Sequence, residues 1–280
     1  MLSPHEIAAV RARARAAATA IVQRSGLRPR VAMFLGTGHS DFVGRLESAC
    51  TIRTADMSEF PAGVESSTLI VGRYAGHAVV VADAPLAPYL GVTGLELAFP
   101  VRVFRQMGAE VLILTAGAAG LTPGTAPGSI GLVEDHLNFS TLNPLVGHND
   151  ELLGPRFPDM SEPYDPALRK LVRAIADEAG FPLAEGVFAA IQGPSLPTRA
   201  EYRYLRNAGA NFVGMSTVPE VLAAVHAGFR TVALLAITQY VDPIDPRPTD
   251  LETMVDAADL AAPRVSTILG AFLERLELDD

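Results

Sequence analysis

Two short stretches bring together hydroxyls, free amides and a helix start: Gly193-Pro-Ser195 and Val213-Gly-Met-Ser-Thr-Val-Pro-Glu220. A Met-Ser-Thr turn joining a strand to a helix suits an anion or a sugar, because side-chain hydroxyls stand beside helix N-terminal amides. The chemistry indicated is that of a nucleoside or sugar-phosphate site. The same residues also suit an ordinary helix start, with Ser216 or Thr217 as N-cap and Pro219 in the first turn. Gly36-Thr37-Gly38 follows an apolar run directly and offers unobstructed backbone N–H groups plus one hydroxyl, either a phosphate nest or a plain tight turn. Thr115-Ala-Gly-Ala-Ala-Gly-Leu-Thr-Pro123 repeats that logic after a second run, where small residues let a ligand approach the backbone. Two such turns at strand ends suggest one shared crevice.

Other chemistries find little support. The first glycine turn lacks the lysine of a P-loop and the third glycine of a dinucleotide fingerprint, and Gly-x-Ser-x-Gly does not occur. The histidines (His5, His39, His77, His136, His148, His226) show neither i, i+4 pairing nor an HExxH pattern, so no metal site is expected. His39 stands out because it adjoins the first glycine turn with Ser40 and Asp41.

These residues need a frame to hold them. Ser3-Pro4-His5-Glu6 reads as a capping box opening a helix within 1–28 that ends near Gly26. Apolar runs at 30–35, 68–72, 77–82, 110–115, 129–134, 186–191, 210–215 and 230–238 are mostly continuous rather than alternating, as expected of strands covered on both faces. Helical patterns at 93–107, 166–179, 198–208, 218–227 and 250–277 lie between or after them. The order is α/β, a single domain with a sheet surrounded by helices. The proline-rich stretch 139–164 has no clean period and reads as a functional or interface loop.

With 280 residues, 49% hydrophobic, the chain is long enough to bury such a sheet in one domain. A formal charge of −9, with Lys170 the single lysine, disfavours nucleic acid as a partner. Cys50 is the only cysteine, which excludes an internal disulfide and suits a reducing compartment. No apolar run reaches the ~18 residues of a membrane span, and the N-terminus lacks a signal-peptide pattern. A cytoplasmic location is therefore expected.

In the same order, from about residue 30 to 240, the chain resembles the trimeric purine nucleoside phosphorylase family, which includes the methylthioadenosine phosphorylases. The specific parts are Gly36-Thr37-Gly38, Phe99-Pro-Val-Arg-Val-Phe104, Thr115 to Pro123, Asp135-His-Leu-Asn138, Asn143-Pro-Leu with Gly147 and Asn149-Asp-Glu151, Arg156-Phe-Pro158 with Met160-Ser161, Gly193-Pro-Ser195, and Val213 to Glu220. The resemblance implies a twisted mixed sheet surrounded by helices, a homotrimer with sites near subunit boundaries, and cleavage of a nucleoside by inorganic phosphate without metal or organic cofactor. By position, it implies that Thr37, Ser216 and the Gly117 backbone bind phosphate, that Tyr89 and Met215 touch the ribose, and that Phe157 lies over a neighbouring subunit's sugar. Ala116, Ala118, Leu196, Pro197 and Gln239 fall at the base, with Gln239 and Ser216 as the catalytic pair.

The departures from that pattern fall at the chemistry. An Arg-x-His phosphate clamp before the tyrosine and a glutamate after it are expected, but the chain reads Pro85-Leu-Ala87-Pro-Tyr89-Leu90. Each hydrogen bond to a charged group contributes about 1.5–3 kcal/mol, so losing the clamp weakens dianion binding. Arg73 is the expected substitute, in preference to Arg102 on a helix. Pro197 replaces the glutamate at the base edge, Gln239 replaces an Asn or Asp, and Ala116 replaces an asparagine. A longer Gln239 side chain shifts its amide, and ~1 Å of misplacement can cost 10²-fold. Leu196 and Pro197 make the base pocket apolar, which disfavours a standard 6-oxopurine. Three activities follow: phosphorolysis of a purine or modified nucleoside; phosphate-independent hydrolysis with His39 or Asp41 as base; or a catalytically silent nucleoside binder.

Overall fold

The computed structural model describes residues 4–36, 40–61, 67–83, 86–242, 244 and 247–278. The N-terminal helix α1 (Pro4–Ser25) leads into β1 (Val31–Leu35), whose five residues are all buried. A one-turn helix α2 (Ser40–Val43) precedes an antiparallel run of β2 (Glu47–Arg53), β3 (Thr68–Tyr74) and β4 (His77–Asp83). Next come α3 (Gly94–Met107), β5 (Val111–Gly120), β6 (Ile130–Asn138), α4 (Pro166–Ala179), β7 (Leu183–Ala190) and α5 (Arg199–Asn207). The chain ends in β8 (Phe212–Gly214), α6 (Val218–His226), β9 (Arg230–Tyr240) and α7 (Leu251–Arg275).

Local chemistry sets the helix boundaries. Thr93 and Thr198 open α3 and α5 with full capping boxes to Glu96 and Glu201, and Asp165 caps α4 ahead of Pro166. Gly108 and Gly180 close α3 and α4 in left-handed conformation.

The strands run in the order β2-β3-β4-β1-β5-β8-β7-β6-β9, and β9 returns to pair with β5. Strands β5, β8, β7, β6 and β9 therefore form a closed ring from which β1, β4, β3 and β2 extend as an open wing. The expected sheet surrounded by helices is present, and its closure on itself removes the edges that β5 and β9 would otherwise expose. Across the middle, β4, β1, β5 and β9 are parallel, so their carboxyl ends open at one rim. Helices α1, α3 and α6 cover one face over Phe34, Leu112 and Leu114, while α4 and α7 cover the other over Met33, Leu35 and Ile113. No described helix is long and apolar enough to cross a membrane.

Two sequence expectations need correction. Strand β2 is absent from the apolar runs because it is an edge strand with a mostly exposed pattern, in which only Ile52 is buried and Cys50 packs partly against the core. Thr115 to Gly120 is not a turn. It continues β5, pairing with β9 from Val111↔Arg230 to Gly120↔Tyr240 and with β8 at Ala119 and Gly120. The small residues there admit partners on both sides instead of bending the chain.

Candidate active site

A cavity of about 570 Å³ opens where the parallel strands end. Its floor comes from Gly36 after β1, Asp83 at the end of β4, Thr115 to Ala119 of β5 and Thr238-Gln239 of β9. One wall is the turn from β8 into α6, Val213 to Ser216, and another is Leu86, Ala87 and Tyr89. Ile191, Leu196, Pro197 and Tyr202 line one side, and the first turns of α7 add Leu251, Met254, Val255 and Ala258. A ligand crevice outside the carboxyl ends of parallel strands is the usual place for one in α/β proteins.

Two glycines make this packing possible. A Cβ on Gly36 would stand 2.8 Å from the Thr115 carbonyl oxygen, and the Gly36 N–H donates to Thr115 Oγ1 at 3.0 Å. The end of β1 can therefore lie flat against β5 only without a side chain. Gly193, at φ 70°, has Met215 Sδ where a Cβ would be, so the Gly193-Pro-Ser195 motif makes room for Met215 at the cavity wall.

The polar groups around the cavity are few and mostly neutral. Thr238 donates to the Ala118 carbonyl at 3.2 Å, and Ser216 and Thr217 hydroxyls stand 3.3 Å apart. Tyr202 is buried beside Gln239; burial raises its phenol, and hydrogen bonding with the Gln239 side chain partly offsets that. Among the described lining residues there is no Arg, Lys or His, and Asp83 is the only carboxylate. Ser216 in the turn leading into α6 and the backbone of Gly117 face the same cavity.

The phosphorylase superfamily model matches residues 30–274. Purine nucleoside phosphorylase 1 of Bacillus subtilis is 35% identical over 246 residues, covering 87% of this chain and 91% of that protein. The Bos taurus purine nucleoside phosphorylase is 40% identical over 222 residues, covering 76% and 77%. A Schistosoma purine nucleoside phosphorylase crystallised with hypoxanthine superimposes with a TM-score of 0.91 at 29% identity, over 95% of this chain and 97% of that one. This chain belongs to the phosphorylase superfamily.

For a phosphorylase-superfamily chain, the structure gathers most of the expected residues. Gly117, Ser216, Tyr89, Met215, Ala116, Ala118, Leu196, Pro197 and Gln239 all line the one cavity. Thr37, His39 and Pro85 lie outside the described residues, as does the Asp41 side chain. Ala87 is a buried lining residue at the usual clamp position, whereas Leu90 is exposed and off the wall.

Arg73 does not reach the cavity. It pairs with Ala78 on β4, whereas Thr68 pairs with Asp83 at the rim, so Arg73 sits at the far end of the ladder, roughly 17 Å along the strand. The expectation that it replaces the clamp is thereby corrected: β3 contributes no residue to the cavity, and strand register takes Arg73 to the end remote from it. Arg102 lies inside α3, buried, with burial lowering its guanidinium against the opposing charge of Asp150. It lines a second hollow with Arg105, Glu151 and His226 rather than the first.

Phe157 is 87% exposed and outside the cavity, with the Arg156 guanidinium 5.4 Å from its ring centroid. Its loop is tied down: Asn149 Oδ1 meets His226 Nε2 at 3.2 Å, and Arg156 donates to the Leu145 carbonyl at 3.1 Å.

Asp83, Tyr202 and the α7 residues are absent from the sequence reading. Asp83 follows the apolar run 77–82 immediately and carries a signal only in that position; Tyr202 and Leu251 carry none, because long-range packing brings them in.

Proposed function

We propose that this protein cleaves the N-glycosidic bond of a purine or modified nucleoside with inorganic phosphate, releasing free base and pentose 1-phosphate. The observation that carries the reading is the convergence of Gly117 and of Ser216, in the turn leading into α6, on one cavity that also receives Tyr89, Met215 and Gln239. Phosphate held by Gly117 and Ser216, with Thr37, attacks C1′ of the sugar as the C1′–N bond breaks. The leaving base takes the bonding electrons, and the Gln239 amide stabilises the charge that develops there. Interactions stronger in that transition state than in the ground state are the ones that accelerate the step.

The relatives named purine nucleoside phosphorylases support the class of substrate. Neutral Tyr202 and Gln239 among Ala116, Ala118, Leu196 and Pro197 favour a base that does not need a carboxylate partner. Inorganic phosphate is the co-substrate, with no metal or organic cofactor. Exposed Phe157 on an anchored loop supports a homotrimer in which this ring covers a neighbouring site. A cytoplasmic location accords with these substrates. Release of base from a panel of nucleosides, with and without phosphate at equal ionic strength, tests the reading: cleavage only with phosphate is expected, and equal rates without it overturn the assignment of the nucleophile.

Asp83 favours a second reading, in which water replaces phosphate. Its strand is separated from Gly117 by two strand spacings, roughly 10 Å, and no described cation lines the cavity to offset its charge against a dianion. Asp83 would take a proton from the attacking water, with His39 and Asp41 as the other candidate bases. This reading expects free pentose as product and loss of phosphate-independent cleavage in Asp83→Asn; pentose 1-phosphate as sole product removes it.

A further inference from the structure

The turn that presents Ser216 has an unusual backbone. Thr217, the N-cap of α6, sits at φ 76°, ψ −51°, a conformation that β-branched residues rarely adopt. Its side chain makes no capping hydrogen bond. The ordinary helix start read from the sequence, capped by a Ser or Thr hydroxyl, is therefore not what forms: that cap needs an extended N-cap backbone, as Thr93 and Thr198 have.

Glu220, three residues on, is the acidic side chain nearest that amide in the first turn of α6. It stands at the third position of α6, where a capping-box carboxylate stands, and the backbone N–H groups of Thr217 and of Glu220 itself are near enough to favour its charged form. That is the position of the returning partner in a capping box. Unlike its counterparts Glu96 and Glu201, Glu220 is buried, 3% exposed. Its Oε2 has no hydrogen-bond partner and borders a hollow of about 10 Å³ lined also by Thr54, Ser67, Leu86 and Leu97. Leu86 is shared with the large cavity, so Glu220 stands one side chain behind the wall of the site.

A buried carboxylate with an unpartnered oxygen is an expensive way to start a helix. What the arrangement achieves is local: it holds a disfavoured Thr217 backbone, and that backbone sets Met215 and Ser216 on the cavity wall. We propose that Glu220 is a positioning residue for this turn, fixing the direction of the Ser216 hydroxyl through the Thr217 amide without touching substrate. The inference rests on the assignment of Ser216 to phosphate, and its test has one arm that does not.

Hydrogen exchange of the full-length protein, as wild type, Glu220→Gln and Glu220→Ala, reads the turn directly. Faster exchange confined to the segment around 214–221 in Glu220→Ala, largely restored in Glu220→Gln, is the expected result. Unchanged exchange there, or a rise spread over the whole chain, overturns the inference whether or not phosphate is a substrate. The kinetic arm expects KM for phosphate to rise about tenfold in Glu220→Ala while KM for nucleoside stays within about twofold, with Glu220→Gln near wild type. Equal changes in both constants indicate a merely structural role and also overturn it. No phosphate dependence in the wild type would fail the functional reading alone, leaving the exchange result to decide the role of Glu220.

Discussion

Glu220 offers a sharp test through the pH dependence of stability. Burial pushes its carboxyl up from 4.5 to about 7, against smaller opposing effects of the nearby backbone N–H groups of Glu220 itself and of Thr217. At about 1.4 kcal/mol for a tenfold change in proton affinity, that corresponds to roughly 3 kcal/mol of folding free energy. Because the folded state binds the proton more tightly than the unfolded chain, this contribution is present below about pH 4.5 and is lost as pH rises through 7. His136 and His226 work in the opposite sense: burial lowers both imidazoles, so their contribution is present at high pH and lost as pH falls. Glu220→Gln removes only the first effect. Denaturant unfolding at pH 5 and pH 8, at equal protein concentration, should show the variant gaining on the wild type by about 2.5 kcal/mol between the two conditions, since part of the effect lies below pH 5. The same difference between the two proteins at both pH values would refute the argument, because it would mean that Glu220 has the same proton affinity in the folded and unfolded chain.

Ser216→Ala should raise KM for phosphate roughly 10- to 100-fold, the equivalent of one hydrogen bond to a charged group, with steady-state kinetics as the readout. Gly36→Ala places a Cβ 2.8 Å from the Thr115 carbonyl, where backbone has little room to yield, and should lower stability by about 1–3 kcal/mol in denaturant unfolding. Phe157→Ala removes a ring that is 87% exposed within one chain, so it should leave protomer stability nearly unchanged. If the ring covers a neighbouring site, the same variant raises KM for nucleoside, and light scattering reports a trimer for the wild type.

Much of this molecule follows from local chemistry. The central strands are readable because parallel strands buried on both faces, such as Val31–Leu35, must be continuously apolar. The helix ends are readable because caps at Thr93, Asp165 and Thr198 are short-range hydrogen bonds between residues two or three apart. The ordered motifs likewise assign Gly117, Tyr89, Met215, Ser216 and Gln239 to one site, and all five line one cavity. What the sequence could not decide depends on register and on distant partners. Exposure hid the edge strand β2, and only pairing with both β8 and β9 made Thr115–Gly120 a strand instead of a turn. Strand register sent Arg73 to the far end of β3 and brought Asp83 to the rim, although each lies in or beside an apolar run of the same open wing. Folding alone put a carboxyl behind the Ser216 turn: in sequence Glu220 belongs to an ordinary helix start, and only the packing of α6 against α3 and the sheet buries it.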